Sequence, residues 1–129
     1  MKRILIIERS TAHWELMKRH LQELYGPDLY IEGIHDLEMG SRRNEIYKEE
    51  ERFDLFFASG EFLLKRIKPA DLIKLIGKNE SKIVTFSMFS DTLDKLRDKV
   101  TLCYSRDEFN FLSSYKLSAQ IEKEILSLI

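Results

Sequence analysis

Short polar clusters follow the apolar runs of this chain and hold most of the residues able to do chemistry: Glu8-Arg9, Ser59-Gly60, Ser87 and Ser105-Arg106-Asp107-Glu108. Cradling a phosphate would call for a glycine-rich loop after the first run, where Glu8-Arg9-Ser10-Thr11 stands instead. Nucleophilic catalysis would call for a base beside the hydroxyl of Ser59, and its neighbours supply none. His13 and His20 lie seven apart on one predicted helix and His35 is distant, so the spacing fits no histidine metal motif and no metal is expected. Cys103 is the single cysteine, which excludes an intrachain disulfide and a multi-cysteine zinc site and leaves a reduced thiol. No trio of acid, base and nucleophile stands out, and no cofactor is expected.

The elements that position these residues are easier to read. A chain of 129 residues is one domain's worth, long enough to bury about two thirds of its unfolded surface. Apolar residues make up 43% and charged residues 33%, a globular composition. Twenty-one basic and twenty-two acidic side chains leave a net charge of −1, which gives no electrostatic case for nucleic acid or an anionic membrane. No stretch reaches the roughly 18 apolar residues of a membrane span, and Met1-Lys2-Arg3 leads directly into a strand-like run, so the expected location is the cytoplasm.

Ile4 to Ile7 is apolar without alternation, as in a strand covered on both faces. Trp14, Met17, Leu21 and Leu24 then recur at helical spacing before Gly26-Pro27. Leu29 to Ile34 predicts a second strand, and the polar stretch 41–52 a weakly docked helix. Phe53 to Ala58 is a buried strand closed by Ser59-Gly60, followed by a loop and a helix opening at Pro69. Further strands are predicted at Lys82–Ser87 and Val100–Tyr104, with a short charged helix over 91–99 between them. Ser105 and Glu108 match a capping box, and a last long helix runs to about Leu126. Alternating strands and helices with short connections imply a parallel sheet between two helical layers, whose sites form at the carboxyl ends of the strands.

This order and spacing resembles the receiver domain of bacterial two-component response regulators over nearly the whole chain. The resemblance implies a flavodoxin-like α/β fold with a five-stranded parallel sheet of order 2-1-3-4-5. Receivers carry an acidic pair after strand one, and the matching residues are Glu8 and Arg9. The phosphate-accepting aspartate that ends the family's third strand corresponds to Ser59. Ser87 matches the hydroxyl residue that senses the phosphoryl group, and Tyr104 the strand-five aromatic that reports activation. The lysine-proline pair after strand five has no counterpart, the alignable residues being Arg106, Asp107 and Glu108.

The departures matter physically. Receiver phosphorylation needs a carboxylate nucleophile and a magnesium ion held by oxygen ligands. A serine would form a far less labile ester, and a guanidinium about 4 Å from a divalent ion would repel it by a few kcal/mol even with strong screening. The expectation is a degenerate pocket of Glu8, Arg9, Ser59, Ser87, Arg106 and Asp107, with Arg9 as a substitute cation and Glu8 as its candidate partner. Plainer roles stay open: Glu8-Arg9 as solvated turn residues, Ser59-Gly60 as turn chemistry, Ser87 as a hydroxyl bonded to nearby backbone.

The last helix adds an apolar surplus. Leu117, Ile121, Ile125 and Leu128 form one stripe, and Phe111, Tyr115 and Ala119 offer more apolar surface beside it. In receivers this region is the dimer or partner face. The resulting expectation is a non-catalytic, phosphorylation-independent signalling module that binds a protein partner or a second copy of itself through the last helix and fifth strand. Two alternatives remain: a flavodoxin-like small-ligand binder or enzyme using the strand-end crevice, and phosphate acceptance on a displaced acid such as Asp54 or Glu61.

Overall fold

A computed structural model describes residues 1–8, 10–34, 48–108 and 117–129. Its sheet contains β1 (Lys2–Ile7), β2 (Leu29–Ile34), β3 (Phe53–Ser59), β4 (Gly77–Ser87) and β5 (Leu102–Ser105). All neighbouring strands run parallel, in the order β2-β1-β3-β4-β5. The helices are α1 (Thr11–Tyr25), α2 (Gly60–Lys65), α3 (Pro69–Ile76), α4 (Ser90–Leu96) and α5 (Ala119–Leu126). This is the parallel sheet between helical layers expected from the order of elements, with the flavodoxin-like strand order that the resemblance implied.

The unalternating strands are explained by two cores. Ile4, Ile6, Leu55, Phe57, Val84 and Phe86 face one way, against Met17 and Leu21 of α1 and Ile121 and Ile125 of α5. Leu5, Ile7, Phe53, Phe56 and Ile83 face the other, against α2, α3 and α4 through Phe62, Leu63, Leu72, Ile76 and Leu96. Successive strand residues point to opposite faces, so a strand covered on both sides must be apolar throughout. Helix α1 stops where expected: Gly26 takes φ of 86°, a left-handed conformation that glycine adopts without strain, and donates its N–H to Gln22 O.

Several boundaries differ from the expectation. The chain after β3 is a helix with no intervening loop, because the Ser59 hydroxyl accepts the Phe62 N–H and starts α2 at once. Strand β4 begins at Gly77, directly after α3, five residues before the predicted start. The polar Lys78-Asn79-Glu80 segment joins the strand because Ser81 bridges it: its hydroxyl accepts the Lys78 N–H and donates to Phe53 O. Helix α4 ends at Leu96 and β5 covers only Leu102–Ser105. Of the stretch predicted as a weakly docked helix, one 3-10 turn at Glu49–Glu51 lies among the described residues, and 41–47 lies outside them.

Among the described residues no helix is long and apolar enough to cross a membrane.

Candidate functional site

The carboxyl ends of β1, β3 and β4 converge on a crevice of about 450 Å³, lined among others by Glu8, Ser59, Glu61, Lys65 and Arg106. Glu8 continues the β1 ladder by one residue, its N–H donating to Ile34 O at 3.2 Å. Its side chain is therefore carried inward and is only 5% exposed. One carboxylate oxygen, Oε1, accepts the Ser10 N–H at 3.3 Å, while Oε2 has no hydrogen-bond partner among the described residues.

Two side chains face the Glu8 carboxylate. Ser10 caps α1 by accepting the His13 N–H, which sets the His13 ring at the crevice with Nδ1 3.9 Å from Glu8 Oε1. Arg106 is held by its backbone N–H, bonded to Ser87 O at 2.8 Å, and by its guanidinium lying 5.1 Å from the Phe86 ring centre. From there Nη2 reaches to 3.7 Å from Glu8 Oε2 and 2.7 Å from His13 Nδ1. A guanidinium has only donors, so in this contact His13 Nδ1 is the acceptor.

The serines are tied into the frame. Ser59 Oγ accepts the Phe62 N–H at 3.3 Å. Ser87 Oγ donates to Glu61 Oε1 at 2.6 Å and accepts the Phe89 N–H at 3.1 Å. This pair is the serine–carboxylate contact that most resembles an activated nucleophile, yet Ser87 is 1% exposed and closed to a substrate. Gly60 allows the packing around it: a Cβ there would lie 2.6 Å from Thr92 Cγ2 and 3.3 Å from Ser87 Cβ. At the rim, Met88 and Phe89 are 75% and 60% exposed.

The structure thus brings Glu8, Ser59, Ser87 and Arg106 together and separates Asp107 from them. Asp107 is exposed and lines a different groove with Tyr104, Glu108, Leu117 and Glu124. The Ser105–Glu108 reciprocal bonds turn the chain there, the Ser105 N–H donating to Glu108 Oε1 and the Glu108 N–H to Ser105 Oγ. Tyr104 is buried against α1 and α5, and its hydroxyl donates to the Glu124 carboxylate. Burial, then that bond, push the Tyr104 phenol well above its usual range, and the same bond holds Glu124 below its own. Cys103 points to the opposite layer, toward Leu93 O, and burial raises its thiol.

Arg9, Phe111 and Tyr115 lie outside the described residues. Ala119 is exposed on α5, whereas Leu117, Ile121 and Ile125 belong to the core. Asp54, the displaced acceptor considered above, sits at the opposite end of β3, but Glu61 lines the crevice. Sequence reading passed over His13 as a crevice residue. Its position three residues after Ser10, the N-cap spacing, was the available signal.

Compared with models of known protein families and with curated proteins, the chain matches none.

Proposed function

We infer that the chain is a degenerate receiver-like signalling domain, acting in the cytoplasm as a non-catalytic, phosphorylation-independent protein-interaction module. The observation that carries this reading is the state of the β3 end: the residue in the phosphoacceptor position is a serine whose oxygen is committed to capping α2. The acid that remains in the metal-binding position, Glu8, already faces Arg106 and His13. A cation fixed beside the carboxylate opposes a divalent ion in the same place. The exposed Met88 and Phe89 at the rim are apolar surface that supports binding of a protein partner or a second copy.

The test is incubation of the purified chain with acetyl phosphate and magnesium, followed by intact mass and peptide mapping. The expected result is an unmodified mass. A stoichiometric phosphate adduct overturns the reading, and its location on Glu61 would establish the displaced-acceptor alternative.

The volume of the crevice favours one second reading, a small-ligand binder, since about 450 Å³ lies within the range of small-molecule sites. Absorbance and native mass of the purified protein separate the two, a retained small molecule supporting the binder.

A further inference from the structure

We propose that the groove between α2 and α3 is a docking site for an acidic, amphipathic segment of a partner protein. The proposal rests on the interaction-module reading and adds where the partner binds and what its chemistry is. The groove has a volume of about 570 Å³ and is lined by Lys65, Lys68, Lys74, Leu64 and Leu75, with Asp71 the acid among its lining residues. Arg66, engaged within the chain, adds a further positive charge.

Charge is segregated here in a way the near-zero total conceals. Residues 64–75 hold four cations and one acid, whereas the remainder holds seventeen cations and twenty-one acids. Three consecutive constraints create the patch. Phe62, Leu63 and Ile67 are buried, which turns Leu64, Lys65 and Lys68 outward. Pro69 then opens α3 at its first helical position, fixing the angle at which the second helix leaves. Leu72 and Ile76 bury the inner face of α3 and leave Asp71, Lys74 and Leu75 on the outer one.

The occupant follows from this combination. An extended polyanion, such as nucleic acid or an anionic bilayer, would meet the acidic remainder of the surface as well as the groove. A short segment is governed by charges within a Debye length, about 8 Å at physiological ionic strength, and so sees mainly the lysines. Among the described residues no aromatic ring lines the groove to stack a base. Leu64 and Leu75 are 39% and 38% exposed, which leaves apolar surface beside the lysines for an apolar side chain. Carboxylates pairing with the lysines and one or two apolar side chains meeting the leucines fit both features.

The direct test titrates a fluorescein-labelled peptide of alternating Glu-Glu-Leu-Leu units with the full chain, followed by fluorescence anisotropy and by amide shifts in 15N spectra. The expected result is saturable binding that weakens at least tenfold in the Lys65→Glu/Lys68→Glu/Lys74→Glu variant, with amide shifts confined to residues 64–75. All three lysines are exposed, and an unchanged circular dichroism spectrum verifies that the variant folds. Absent peptide binding, equal binding by the variant, or shifts centred on residues 87–89 overturns the proposal. So does lysine-dependent binding of phosphatidylserine vesicles or single-stranded DNA in place of the peptide. A cellular partner captured equally by wild type and the charge-reversed variant refutes the groove while leaving partner binding intact. A phosphate adduct in the earlier mass experiment refutes the non-catalytic reading and leaves the groove untouched.

Discussion

The two ends of the sheet each hold a carboxylate facing cations, and they treat it in opposite ways. At the amino end, Asp54 uses both oxygens: Oδ2 accepts the Arg3 N–H at 2.9 Å and Oδ1 takes Lys78 Nζ at 2.8 Å. The Arg3 guanidinium is laid beside the Tyr30 and Phe53 rings at 4.1 and 5.4 Å. At the carboxyl end, Glu8 is more deeply buried yet makes longer contacts, and among the described residues Oε2 has a cation at 3.7 Å with no hydrogen bond. A carboxylate with both oxygens bonded rigidifies a fold; one with a single bonded oxygen retains bonding capacity for something else. The amino end is therefore frame, and the carboxyl end is site.

Mutations can break this contrast. The largest effect is expected from Asp54→Ala, which strands an amide and an ammonium at once; two charge-assisted bonds at about 1.5 kcal/mol each put the loss at about 3 kcal/mol in urea unfolding. A loss below about 1 kcal/mol would mean that the amino end is no more committed than the other. Arg106→Leu comes next, at about 2 kcal/mol, because it leaves the buried Glu8 carboxylate without its guanidinium counter-charge. Adding Glu8→Gln should restore most of that loss; if it does not, Arg106 acts through its packing on Phe86 and the electrostatic account of the crevice fails. Glu8→Gln alone should cost less than about 1 kcal/mol, since the orphan oxygen loses no hydrogen bond.

The smallest effect over the working pH range lies in neither end but in two phenols of the core that α1 and α5 cover. Tyr25 and Tyr104 have phenols raised above their ordinary 10.0, chiefly by burial. A raised acid holds its proton more tightly folded than unfolded, so its contribution is complete below pH 10 and declines above it. Unfolding midpoints should fall beyond pH 10, with the raised Cys103 thiol adding a decline of its own from about pH 9, and Tyr104→Phe should soften the fall above 10. An unchanged alkaline limb in the variant would remove Tyr104 as a contributor.

How much of this was legible in the sequence depends on the range of the interaction. The runs Ile4–Ile7 and Phe53–Ala58 announced strands covered on both faces because burial acts residue by residue along a strand. Ser105 and Glu108 announced their reciprocal bonds because both partners are local. The start of β4 was hidden, since Lys78-Asn79-Glu80 is polar and joins the sheet only through Ser81 and the distant Phe53 carbonyl. The contact between Arg106 and His13 spans 93 positions, and no periodicity encodes it. Asp107 was misplaced for the complementary reason: adjacency to Arg106 in the chain does not survive a tight turn.

One tether has a practical bearing. The final carbonyls are captured by donors from three separate elements: Ile125 O by the Tyr25 hydroxyl, Leu128 O by Lys82 Nζ and Ile129 O by Lys2 Nζ. Lys2 opens β1 and Glu8 follows that strand's last residue, so the Ile129 anchor stands at the opposite end of the sheet from Glu8. A fluorophore or affinity handle attached at Ile129 would thus emerge on the far side of the molecule and leave the crevice unobstructed for labelling experiments.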